Sequence, residues 1–113
     1  MDIQIEALAE NFTVVKLIGK LDLMGAQAIE TRLGATANRG DHVIVDLEGV
    51  TFLASMGIRS LVMAAKTAQL KGRRLVVIKA STDVEQVLVA SGLDSLIPLV
   101  ATIEAAIALC PSA

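Results

Sequence analysis

The chain has 113 residues, 54% of them apolar, and its 10 basic and 12 acidic side chains give a net charge of −2. That length supports one core and one domain over residues 1–113. Mean hydropathy is +0.66, yet charges interrupt every run before the ~18 apolar residues that a membrane span begins to require.

Two Phe, with no Trp or Tyr and no basic stripe, argue against direct nucleic-acid binding, which uses stacking platforms and cationic tracks. A single cysteine, Cys110, excludes an internal disulfide and a multi-thiol metal site; it is expected as a small buried or half-buried residue of the last helix. The opening MDIQIEALAE has acids and Gln where a signal peptide needs a basic region and an apolar stretch. The chain is therefore expected to be soluble and cytoplasmic.

In chain order, Ile3 and Ile5 alternate with polar neighbours, and the β-branched stretch Phe12 to Ile18 follows after Glu10-Asn11. This predicts a two-stranded hairpin. Asp22 is expected to cap a helix on which Ala26, Ile29, Leu33 and Ala37 recur at helical spacing, with Gly40 at its stop. Val43-Ile44-Val45 and Leu75-Val76-Val77-Ile78 are continuous apolar runs, the pattern of strands covered on both faces. Between them Glu48 and Gly49 are expected in a turn, and a helix starts at Ser55, which is read as its N-cap.

Thr82 to Glu85 has capping-box spacing and is expected to open a helix through Ser91, ended by Gly92. Ile97 to Val100, with Pro98, suits a short edge strand. Thr102 is expected to cap a last helix. The order β-β-α-β-α-β-α-β-α predicts an α/β fold: a mixed sheet of about five strands, antiparallel at the N-terminal hairpin and βαβ thereafter, under about four helices. Sites in such sheets gather where strands end and helices begin, which is where Ser55 lies.

On a helical wheel at ~100° per residue, Ile58, Leu61, Val62, Ala65 and Gln69 share a face assigned to the core. Met56, Ser60, Met63, Thr67 and Leu70 lie opposite, with Arg59 and Lys66 on the flank. Met56, Met63 and Leu70 recur every seven residues, an apolar stripe that points to a protein-binding surface. Burial on two sides, or packing in a homodimer, would give the same stripe.

Enzymatic readings fit poorly. Ser55-Met56-Gly57 resembles half of a G-x-S-x-G nucleophile elbow, but Leu53 replaces the first glycine. His42, the only histidine, starts the preceding strand and should lie roughly 16 Å from Ser55, beyond hydrogen-bond reach. It is expected to be exposed there. No Walker glycine loop occurs. Asp22, Asp46 and Glu48 make an improbable magnesium cluster, because Asp22 is expected to cap a helix and Glu48 to sit in a turn. No cofactor or metal is expected.

VIVDLEGVTFLASMGIRSLV (residues 43–62) resembles the signature of the STAS domain: a strand ending in Asp-Leu, a Gly-Val turn, an aromatic, then Ser-x-Gly opening a helix. Gly19-Lys20-Leu21-Asp22 and Ser91-Gly92-Leu93 resemble two further landmarks of that family, in its order and spacing. A stand-alone chain of this kind is most similar to the bacterial anti-sigma factor antagonists, also called anti-anti-sigma factors.

The resemblance implies a non-enzymatic regulator of transcription that works by partner switching. It would bind a GHKL-type serine-kinase anti-sigma factor, accept a phosphate on Ser55, let go, and be restored by a PP2C-type phosphatase. The expected partner surface comprises Asp22, Ala54, Met56, Gly57, Arg59, Ser60 and Met63 around Ser55. Ala54 stands where the family usually has an acidic residue, and Met56 where a small hydroxyl residue usually follows. Two other readings stay open: a STAS subunit of a membrane-transport (ABC-type lipid) ATPase complex, and a constitutive binding module that is never phosphorylated.

Overall fold

The structure, a computed structural model, describes residues 1–111. Strands β1 (Asp2–Ala9) and β2 (Phe12–Leu21) form the expected antiparallel hairpin. Asn11 turns it with a φ of +70°, a left-handed conformation that Asn tolerates better than most residues. Then follow α1 (Leu23–Asn38), β3 (His42–Leu53), α2 (Ser55–Leu70), β4 (Leu75–Ile78), α3 (Thr82–Ala90), β5 (Leu99–Val100) and α4 (Ile103–Leu109). This is the expected order, with one short 3-10 turn added at Leu93–Ser95.

The five strands lie in the order β1-β2-β3-β4-β5, and every pairing after the hairpin is parallel. Because the strand order always advances in one direction, right-handed crossovers place α1, α2 and α3 on the same face. That face buries Val15, Leu17 and Leu21 of β2, Val43, Val45, Leu47, Val50 and Leu53 of β3, and Leu75 and Val77 of β4 against the three helices. The alternate residues Val14, Ile44, Val76 and Ile78 pack on the other face beneath Ala106 of α4. Two-sided cover explains why the central strands read as unbroken apolar runs.

β3 departs from the expected turn at Glu48-Gly49. It continues as strand to Leu53, with register shifts against β2 between Lys16 and Ile18 and between Gly19 and Lys20. These are bulges, each giving β3 one more residue than its neighbour. At the first, the buried Asp46 turns its Oδ1 to accept the Glu48 N–H at 2.9 Å, satisfying a donor that the bulge removes from the ladder. The bulges bring Leu53 level with Leu21.

Caps hold at Asp22, whose Oδ1 accepts the Gly25 N–H at 2.8 Å, and at Thr102, whose hydroxyl accepts the Ala105 N–H at 3.1 Å. The cap of α3 is Ser81, one residue before the expected Thr82, and its Oγ accepts the Val84 N–H at 3.3 Å. Gly92 turns with a φ of +81° and drops Leu93 into the core. Of the expected edge strand only Leu99–Val100 pairs, while Ile97 is wholly buried.

His42 is not an exposed strand start. Only 1% of its surface is accessible. Nδ1 accepts the Arg74 N–H at 3.0 Å, so Nε2 carries the proton and donates to the Pro111 carbonyl at 3.0 Å. The ring thus ties the start of β3 to β4 and to the segment after α4. Burial lowers its pKa; the Pro111 carbonyl opposes this, Arg73 and Arg74 add to it, and Asp41 opposes it. Cys110 is half-buried, as expected, and its thiol donates to the Ala106 carbonyl at 3.4 Å.

Candidate functional site

β2 and β3 end side by side, and each runs directly into a helix. Ala54 donates its N–H to the Leu21 carbonyl at 3.0 Å, which seats the start of α2 on the end of β2. Two glycines let both helices start hard against the end of β2. A methyl group on Gly57 would stand 2.5 Å from Leu21 Cγ and 2.6 Å from its carbonyl oxygen, and one on Gly25 would collide with the Lys20 carbonyl. The first turns of α1 and α2 are neighbours at one end of the sheet, where the interior strands β2 and β3 finish.

Ser55 does not cap α2. The N-cap is Ala54, extended at φ −114° and ψ 170°, and no side chain bonds the free N–H groups of the first turn. The Ala54 bond to Leu21 fixes that residue as the last extended one, which makes Ser55 the first helical one, with its side chain exposed. α1, α3 and α4 all have side-chain caps; α2 has none, and no acidic residue lies in its first turn. Its start carries an uncompensated positive end of the helix dipole.

The expected surface residues divide by accessibility. Arg59, one turn from Ser55, and Met63, two turns on, are exposed, while Asp22, Ala54 and Met56 are half-buried. Gly57 is buried against Leu21, and Ser60 is half-buried with its hydroxyl donating to the Met56 carbonyl at 3.2 Å. The core face of α2 is Gly57, Leu61, Ala64, Ala65 and Ala68, with Ile58 and Val62 packed at its margin. This differs from the expected face, and Gln69 is exposed. Small residues let α2 approach α1 and the sheet closely, so the helix turns its alanines inward and its branched residues sideways.

The structure adds three exposed apolar residues at this end of the sheet: Leu23 and Met24 in the first turn of α1, and Phe52 at the end of β3. Met24 is 77% exposed. A signal existed in the sequence, since Met24 falls opposite the Ala26, Ile29, Leu33 and Ala37 face of its helix.

The arrangement offers no catalytic pair for Ser55. All of β3 separates it from His42, whose two ring nitrogens are both engaged elsewhere. Among the described residues no three His, Cys, Asp or Glu come together as metal ligands, and no helix is long and apolar enough to cross a membrane.

The family model of the STAS domain matches residues 3–106. The RsbT co-antagonist protein RsbRA of Bacillus subtilis (strain 168) is 28% identical over 87 residues, which cover 75% of this chain and 32% of that protein. The chain thus spans about a third of the length of that curated relative. An anti-sigma factor antagonist from Mycobacterium paratuberculosis superposes with a TM-score of 0.83 at 25% identity, over 95% of this chain and 91% of that one.

SpoIIAA is similar in two states. The unphosphorylated anti-sigma factor antagonist matches at TM-score 0.78 and 24% identity, covering 94% of this chain and 93% of its own. The phosphorylated Bacillus form matches at 0.72 and 23%, covering 95% and 97%. With the fold, its three landmarks and a family match over almost the whole chain, this protein belongs to the STAS domain family.

Proposed function

We propose that this protein is an anti-sigma factor antagonist: a non-enzymatic, cytoplasmic partner switch that binds a GHKL-type serine-kinase anti-sigma factor and is controlled by phosphorylation of Ser55. The observation that carries this reading is the exposed Ser55 hydroxyl on the uncapped first turn of α2. A kinase can reach a hydroxyl there without unfolding the chain. The phosphate would bring about −1.5 to −2 charges to the positive end of a helix, where such charge gains roughly 0.3–1 kcal/mol.

The same phosphate would lie one turn from Arg59, on the helix that carries Met63 further along, and across the paired strand ends from Leu23 and Met24. Docking on an apolar surface desolvates its surroundings, so a doubly charged group at its margin opposes binding. No movement of the fold is needed. Ala54 in place of an acid leaves the first turn without a competing negative charge, which favours the phosphorylated state. A PP2C-type phosphatase would return the protein to its binding form.

The test is incubation with ATP and a GHKL serine kinase, followed by mapping of the product by mass spectrometry. One phosphate is expected, on Ser55, absent from Ser55→Ala and removed by a PP2C phosphatase. Labelling confined to other residues, or stable co-purification with a transporter ATPase and no labelling, would displace this reading.

A further inference from the structure

The outward surface of α2 has a composition that specifies what can dock on it. At 3.6 residues per turn, Arg59, Met63, Lys66 and Leu70 fall within about 60° of one another, opposite the buried Gly57, Leu61, Ala64 and Ala68. All four are exposed, Met63 by 48% and Leu70 by 87%. Apolar and cationic residues alternate along this line, and the helix SMGIRSLVMAAKTAQL contains no acidic residue. Yet the whole chain is net negative, with 12 acids to 10 bases. The positive charge of α2 is therefore local.

A second copy of this chain is a poor occupant. Packing α2 against its own symmetry mate, in parallel or antiparallel about the helix midpoint, sets Arg59 and Lys66 of one copy against those of the other, and like charges across an interface oppose association. Carboxylates would instead be attracted by both cations, while apolar side chains cover Met63 and Leu70. Resting on the partner-switching reading of Ser55, we infer that α2 receives a protein segment with an apolar ridge flanked by Asp or Glu.

This assigns the switch a direction. Ser55 and Arg59 are four residues apart, which makes them neighbours on the helix surface. Phosphoserine at 55 both repels the partner's carboxylates and draws Arg59 into an internal pair. One modification thus adds a repulsion and removes an attraction.

The test places photoreactive p-benzoylphenylalanine at Met63, and separately at Leu70, in the full chain produced at its normal level in its own cells. After irradiation, the crosslinked peptide is identified by mass spectrometry. The expected peptide carries Asp or Glu within a helical turn of its apolar residues. Arg59→Glu with Lys66→Glu should cut the crosslink at least tenfold, while Arg59→Lys with Lys66→Arg should preserve it. A basic or uncharged peptide, a peptide of this same chain, or no crosslink at either position overturns the inference.

The functional reading fails separately. An acidic peptide from a protein that does not phosphorylate Ser55 upholds the surface and removes the proposed kinase, whereas a Ser55 kinase caught through an uncharged segment does the reverse.

Discussion

Replacing Gly57 with alanine tests how α2 is seated. The added methyl would stand 2.5 Å from Leu21 Cγ and 2.6 Å from the Leu21 carbonyl oxygen, about 1 Å short of normal contact. Leu21 Cγ is wholly buried in the core, and the carbonyl holds the Ala54 N–H at 3.0 Å, so neither can yield freely. Overpacking costs about 1–3 kcal/mol, and weakening the Ala54 bond costs about 1 kcal/mol more. Greater helix propensity offsets up to about 1 kcal/mol.

The net loss for Gly57→Ala is roughly 1–3 kcal/mol. Unfolding entropy scales with length, so for 113 residues each kcal/mol moves Tm by about 4 °C, and the variant should melt about 4–12 °C early. Gly34→Ala is the matched control, since a methyl there meets nothing within 4 Å; it should raise Tm by up to about 4 °C. Thermal unfolding followed by circular dichroism reads both. If Gly57→Ala melts at or above the wild type, the close seating of α2 on Leu21 is wrong.

Ser55→Ala should leave stability within about 0.5 kcal/mol in urea unfolding, because no cap is lost; a larger loss would restore Ser55 as a cap. Asp22→Ala and Ser81→Ala should each cost about 1 kcal/mol, while Thr82→Ala costs less than half of that; equal losses at 81 and 82 would contradict the observed cap of α3. His42 gives a pH dependence. Its pKa is lowered in the folded state from 6.5, chiefly by burial, so below that pH the unfolded chain takes up a proton that the folded chain resists. Its contribution is fully present above 6.5 and is lost as pH falls towards the folded value. Urea unfolding between pH 7.5 and 5 should show this decline in the wild type and a flatter profile in His42→Asn.

Much of the fold was legible because each element obeys a local rule. The alternating Ile3 and Ile5, the unbroken Val43-Ile44-Val45 and the caps at Asp22 and Thr102 announce strands and helices without tertiary knowledge. What escaped depends on partners distant in sequence. Ser55 looked like a cap until the bond from Ala54 to Leu21 fixed where extended backbone ends. His42 looked exposed because its partners, Arg74 and Pro111, lie far along the chain. The wheel alone does not give the core face of α2, because how closely the helix approaches α1 and the sheet is set by tertiary packing: Ala64 and Ala68 face inward for being small. At the candidate site, the position of Ser55 was legible, whereas Leu23, Met24 and Phe52 join it only through the pairing of β2 with β3.

A phosphate on Ser55 is proposed to switch binding off without altering the fold. Protein made with phosphoserine at position 55, titrated calorimetrically against the serine kinase that labels it, should bind at least tenfold more weakly than the unmodified chain while melting at the same temperature or slightly higher. Equal affinity of the two forms would mean that Ser55 is not the switch.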